Sequence, residues 1–308
     1  MSAHDKSLKT TEEVALQILL LCQFGVGTVA NVFLFAHNFS SIFTGSQQRP
    51  RQVILSHMAV ANDLILFLIA FSKNMMAFPP RNPQTDLKCK IEFFTCMVAK
   101  STNLCATCVL SIHQFVTLVP VNGGKVIFSA SVPNLASYSC YSCWAFSILN
   151  NIYIPFKVTG PQISDNNTDP KSKLFCSTFG FSVGIIFLQF ADDATFMSIM
   201  VWTSFSMVLL LHRHRQVMQH ILTPNQDTRG QAETRATNTI LMLVFTFVSF
   251  YLLNLICFIF HIYFIDSSVI MRHVGVVFVV SFPTISPLLL IFRDPKDPCS
   301  ALFNCGKP

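Results

Sequence analysis

Seven stretches of this 308-residue chain are apolar over the roughly 20 residues that a helix needs to cross the hydrocarbon core of a bilayer. They cover residues 14–36, 53–71, 93–118, 135–154, 182–211, 240–263 and 269–292. Lipid offers backbone amides no partner, so each stretch must satisfy its own N–H and C=O groups and is expected to be helical. Polar, proline-bearing or charged segments separate the stretches, including Gly45 to Pro50, Pro79 to Pro83, Asn122 to Lys125, Lys157 to Cys176 and His212 to Arg235. A short turn near Asp266 divides the last two. The expected fold is an all-α membrane protein, one domain of residues 1–308 forming a seven-helix bundle, with short segments at both ends.

Composition agrees. Asp, Glu, Lys and Arg make up 12% of the chain, against about 25% in soluble domains, and 31 residues are phenylalanine. So little charge cannot cover a water-facing surface, and a lipid bilayer is the implied partner. The net charge of +6 comes from scattered Lys and Arg with no basic run, so nucleic acid is not expected. The first apolar stretch exceeds the roughly 7–15 residues of a signal-peptide core and reads as a retained span.

Orientation does not follow from the rule that Lys and Arg gather on the cytoplasmic side, because each side of the seven spans holds ten. Parity is more informative. Cys89 lies just before span 3 and Cys176 just before span 5, so two crossings separate them and they share a side where they could meet. Asn166-Asn167-Thr168, an N-glycosylation pattern, occupies the same loop as Cys176. Disulfides and N-glycans belong outside the cytoplasm. The N-terminus is therefore expected outside and the C-terminal tail inside. A second sequon, Asn38-Phe39-Ser40, falls on the opposite side, so one topology uses at most one of the two.

Several residues invite a chemical role. Cys105/Cys108 and Cys140/Cys143 are two C-x-x-C pairs, each on one helix face. Ionising thiols inside apolar spans is costly, so small buried hydrophobes are expected there rather than zinc ligands. Ionisable residues within spans are expensive and are functional candidates by default. Asp63 lies midway along span 2 beside Asn62, Lys100 and Glu92 lie in the outer part of span 3, and Asp192-Asp193 lie in span 5. An acid on span 5 facing Lys100 would neutralise both charges and line a cavity open to the outside. Pro155, Pro283 and Pro287 permit kinks. HExxH, GxSxG and phosphate-cradling loops do not occur in the sequence, so neither an enzyme nor a bound cofactor is expected.

Taken in order, a set of motifs resembles the vomeronasal type-1 receptors, a branch of the rhodopsin-like G-protein-coupled receptors. It includes Cys89-Lys90, Leu104 to Cys108, Ser111 to Pro120, Cys140 to Trp144, Asn151 to Pro155 and Thr159-Gly160. The sequon at Asn166 stands ten residues before Cys176, and Asp193 nine before Trp202. Leu211 to Arg215, Glu233 with Arg235-Ala236-Thr237, and Phe282 to Pro287 complete the set. Where the wider receptor class carries an acid-Arg-aromatic triplet, this chain has Ile112-His113-Gln114, and Leu290 replaces the tyrosine of the motif in span 7. The arginine latch is absent, so the resting state must be held otherwise.

The resemblance implies a plasma-membrane receptor of the G-protein-coupled type, responding to pheromone-like small molecules and signalling through a heterotrimeric, inhibitory-type G protein. An apolar pocket among the outer halves of spans 3, 5, 6 and 7 is then expected, with Phe93, Met97, Lys100, Asp193 and Phe260 lining it. His113, Arg213, Arg215 and Arg235 are expected to face the G protein. Two alternatives stay open: a small-solute channel or transporter with Asp63, Lys100 and Asp192 along its path, or a receptor-like chain that no longer signals.

Overall fold

The computed structural model describes residues 3–43, 50–77, 86–119, 125–160, 177–178, 183–219, 227–263 and 269–293. Among these are seven long helices: α1 (Ala3–Phe43), α2 (Pro50–Ala77), α3 (Asp86–Leu118), α4 (Lys125–Asn151), α6 (Val183–Gln219), α7 (Asp227–Tyr263) and α8 (Val269–Arg293). A four-residue helix, α5 (Ile154–Lys157), follows α4 and leads into β1 (Val158–Thr159), which pairs antiparallel with β2 (Ser177–Thr178).

Each apolar stretch of the sequence falls on a long helix, but most helices outrun their stretch. The 41 residues of α1, for example, extend past both ends of residues 14–36. Hydrophobic length sets where the bilayer grips a helix, while the backbone hydrogen-bond ladder continues until a breaker interrupts it. Among the described residues, six helices (α1, α2, α3, α6, α7 and α8) are long and apolar enough to cross a membrane. The expected seventh, α4, is not among them. At 27 residues it would extend about 40 Å, yet Ser137, Tyr138, Ser139, Tyr141 and Ser142 dilute its apolar character.

Helix α3 is the axle of the bundle. It packs against α2, α4, α6 and α7, and most of its positions from Val98 to Gln114 are buried. Around it, α1 packs on α2 and α8, and α8 on α7. The contacts with α3 run through Leu104, Cys108 and Leu110, which join one core with Met58, Met200, Leu243 and Phe282. The outward faces are large and apolar: Trp202 is 70% exposed and Phe245 71%. In water these side chains would each forfeit about 1.5–3 kcal/mol of burial, so the surface suits a lipid surround.

Two backbone details fix how α1, α2 and α8 meet. Pro287 has no N–H, so the Pro283 carbonyl one turn earlier loses its helical donor. The Asn31 side chain of α1 donates to that carbonyl at 2.9 Å, and to Gly27 O at 2.9 Å. Gly27 itself lets the helices approach closely. A Cβ there would stand 2.8 Å from Leu66 Cδ1, 3.0 Å from Thr284 Oγ1 and 3.2 Å from the Thr284 Cα. We expect Gly27→Ala to push α1 away from α8 and lower thermal stability by about 1–3 kcal/mol, read as a reduced melting temperature of detergent-solubilised protein. Gly25, whose Cβ would meet nothing within 4 Å, supplies the control as Gly25→Ala.

Candidate ligand cavity and its supports

A cavity of about 260 Å³ opens between α3, α6, α7 and α8, with Ile65 of α2 on its wall. It lies toward the end of α3 that carries Cys89, since its α3 lining runs from Met97 to Leu104. Aromatic side chains contribute from three helices: Phe190 from α6, Phe247, Phe250 and Tyr251 from α7, and Phe278 and Phe282 from α8. Phe247 and Phe282 meet edge to face with ring centroids 4.6 Å apart, which locks the α7 and α8 walls together.

Polar groups interrupt this lining at a few places. Asp193 of α6 accepts a hydrogen bond from the Tyr251 hydroxyl of α7 at 2.7 Å. Tyr153 donates to Gln189 Oε1 at 3.4 Å, bringing the exit of α4 against α6. Lys100 and Asn254 also face the space. The ammonium of Lys100 is near enough to act on the Asp193 carboxylate. Among the described residues, however, the ion pairs are Lys88–Glu92 and Lys90–Asp86, and Lys100 belongs to neither.

The structure thus brings Met97, Lys100 and Asp193 to one cavity and leaves Phe93 and Phe260 outside it. Phe93 packs instead with Cys89, Ile154 and Val158, while Phe260 is 45% exposed. The reason is register: Phe93 lies about one turn above Met97, beneath the loop that follows α4, and helix α7 turns Phe260 outward. The expected facing of acid and lysine is kept, but their direct pairing is replaced by the Tyr251–Asp193 bond. Asp63 and Asp192 do not line the cavity, and Asp63 Oδ1 is buried with no hydrogen-bond partner among the described residues.

Above the cavity, Cys89 is buried, 1% exposed, and disulfide-bonded. Val158 packs on it, and Thr159 pairs with Ser177, the neighbour in sequence of Cys176. Gly160 holds this layer onto the start of α3. Its N–H donates to Asp86 Oδ1 at 2.6 Å, and a Cβ on it would lie 2.6 Å from the Asp86 Cα. Cys176 and Asn166 lie outside the described residues. Asn38 of the second sequon is buried, 5% exposed, within α1.

At the far end, two side-chain bonds tie α3 to its neighbours. Ser111 and Thr203 of α6 are 2.7 Å apart, and Gln114 donates to Thr237 of α7 at 3.2 Å. They stand where the sequence lacks an arginine latch. His113 is half-buried, and both of its ring nitrogens lack hydrogen-bond partners among the described residues. Arg213 is exposed, whereas the side chains of Arg215 and Arg235 lie outside the described residues.

Sequence reasoning missed the most connected polar feature. Asn62 donates to Asn31 Oδ1 at 3.0 Å and to Ser286 Oγ at 3.1 Å, and Asn103 donates to Asn62 Oδ1 at 2.9 Å. Four helices, α1, α2, α3 and α8, meet in this buried chain. The signal available was three asparagines in the middle of apolar spans, each needing partners once out of water. The C-x-x-C cysteines Cys105, Cys108, Cys140 and Cys143 are all free and buried. Among the described residues no set of three His, Cys, Asp or Glu side chains groups closely enough to hold a metal ion.

Fold and cavity together define a multi-pass helical membrane protein with a small chamber, partly aromatic and partly polar, within its bundle. The vomeronasal organ pheromone receptor family matches residues 14–297, and the chain belongs to that family. It is 32% identical to vomeronasal type-1 receptor 4 of Homo sapiens over 90% of this chain and 94% of the relative. It is also 32% identical to vomeronasal type-1 receptor 1 of Gorilla gorilla gorilla, over 91% of this chain and 80% of that one. A more distant likeness, at 26% identity over 91% of this chain and 89% of the relative, is to olfactory receptor class A-like protein 1 of Danio rerio. The chain is therefore a chemosensory receptor by family.

Proposed function

We propose that this receptor is coupled to a heterotrimeric G protein of the inhibitory type and responds to small pheromone-like molecules bound in the aromatic cavity. In this reading α4 is the seventh span, the protein resides in the plasma membrane, and its N-terminus is extracellular. Cys89 pairs with Cys176 on the outer side, and Asn166 carries an N-glycan. The inner rim of Arg213, Arg215, Arg235 and His113 faces the G protein.

One observation carries the reading: a chamber walled by α3, α6, α7 and α8, with Ile65 of α2, so that a molecule inside it touches several helices at once. A ligand shifts a receptor between arrangements only by binding one better than another. Contacts shared among helices that move relative to one another supply that difference. Support for movement comes from Pro283, which lines the cavity, and from Pro287 one turn further along α8.

The test is nucleotide exchange on purified inhibitory-type G protein, driven by the receptor in lipid nanodiscs across a panel of small odorants. We expect at least one compound to accelerate exchange, and Phe250→Ala, which removes a cavity-lining ring that is only half-buried, to weaken the response while surface display persists. Exchange that stays at its basal rate across the panel, with correctly inserted receptor, would overturn the coupling. Conductance or solute uptake in liposomes lacking G protein would replace it with the channel reading.

A further inference from the structure

The aromatic chamber contains one cation and one anion that do not pair. Lys100 reaches it from α3 and Asp193 from α6, and the ion pairs among the described residues leave Lys100 out. The Asp193 carboxylate is held in place by Tyr251 at 2.7 Å, and Asn254 adds an amide to the same wall. The two charges sum to zero. A ligand with a formal charge of its own would leave the chamber with an uncompensated charge among phenylalanines, where the loss of water is expensive. A pure hydrocarbon would displace water from the Lys100 ammonium and give it no partner, and would add none to the hydrogen bond that Asp193 accepts from Tyr251. A group that accepts and donates at one atom meets both demands, because its oxygen accepts from the ammonium and its hydrogen points to the carboxylate. The volume, about 260 Å³, is below the roughly 300–1,000 Å³ typical of pockets for larger ligands, so the body must be small.

On the premise of the receptor reading above, we infer that the cavity selects an uncharged, small apolar molecule bearing a single hydroxyl, seated between Lys100 and Asp193. The aromatic wall holds the body, the hydroxyl sets its orientation, and charged analogues of equal size are rejected.

The experiment uses the full chain in nanodiscs without G protein, so that binding is read apart from signalling. The probes are matched quartets on straight-chain and alicyclic bodies of six to ten carbons: the primary alcohol, the hydrocarbon, the carboxylate and the ammonium. Thermal-shift titration gives an apparent Kd for each. We expect one or more alcohols to bind at least about 100-fold more tightly than the other three members of their quartet. Lys100→Met and Asp193→Leu each leave a lone charge and can disturb folding, so the double variant, which removes both, is the informative one. It should bind alcohol and hydrocarbon alike. Tighter binding of a carboxylate or an ammonium would overturn the inference. So would discrimination that survives in the double variant, or the absence of any alcohol-induced shift. A receptor that discriminates alcohols but never accelerates nucleotide exchange would sink the signalling reading and leave this one standing.

Discussion

Cys89→Ser is expected to lower stability by about 2–5 kcal/mol and to hold the protein inside the cell, the cost typical of losing a native disulfide. Cys89 is disulfide-bonded at the start of α3, in a small cluster with Ile154 and Val158 that is separate from the main core. That cluster has few members, so removing the crosslink leaves little else to hold the segment after α4 against α3. The remaining ties include the Gly160–Asp86 hydrogen bond and the short β1–β2 pairing. The consequence reaches the cavity, because Met97 packs against the cluster and also lines the chamber. Surface biotinylation and the melting temperature of the solubilised protein give the measurement. Cys176→Ser should behave the same way, and the double variant no worse than either single one. Full surface display of either single variant would rule out the Cys89–Cys176 pairing.

Asn62→Leu should be the most damaging single change within the bundle. Its amide is the hub between Asn31, Ser286 and Asn103, so one substitution leaves three buried polar groups without partners. An interhelical hydrogen bond in a membrane averages about 0.6 kcal/mol, while a stranded buried group costs about 1–3 kcal/mol. Three such groups, partly relieved by relaxation, give an expected loss of about 3–6 kcal/mol. Asn62→Asp should be harmful too, since the donor to Asn31 and Ser286 becomes an acceptor facing an acceptor at Asn31 Oδ1. A distant polar change of similar size, Thr246→Val on the exposed side of α7, should cost little, because Thr246 bonds only to Met242 O of its own helix. If Asn62→Leu melts with the wild-type protein, the chain of asparagines is not what binds these helices.

The two expectations rest on features that the sequence displays with different ease. Lys100 and Asp193 stand out because charge inside an apolar span is expensive and therefore conspicuous. Met97 lies one turn before Lys100 and lines the same cavity. Phe93 and Phe260, expected in the outer halves of the same spans, fall outside the cavity, since a phenylalanine is equally at home against lipid, a loop or a pocket. Asn31 and Asn103 escape notice for a related reason. A neutral amide in a helix carries no mark of the direction it faces, and only the packed bundle shows that Asn31 and Asn103, from two other helices, both meet Asn62, which also reaches Ser286.

The order of amino acids is enough to establish a membrane protein built of long helices, where each one lies, and which family it resembles. The helices follow from apolar length and from the absence of water in the bilayer, the resemblance from an ordered set of motifs, and neither depends on how the helices are arranged. Which helices touch, where the chamber opens, and that Tyr251 rather than Lys100 holds Asp193 emerge only from the packed bundle. Lipid is as apolar as the helix faces it surrounds, so hydrophobicity cannot choose among packings. Close approach at Gly27, the capture of the Pro283 carbonyl by Asn31 and the asparagine hub make that choice, and all three exist only once the helices have met.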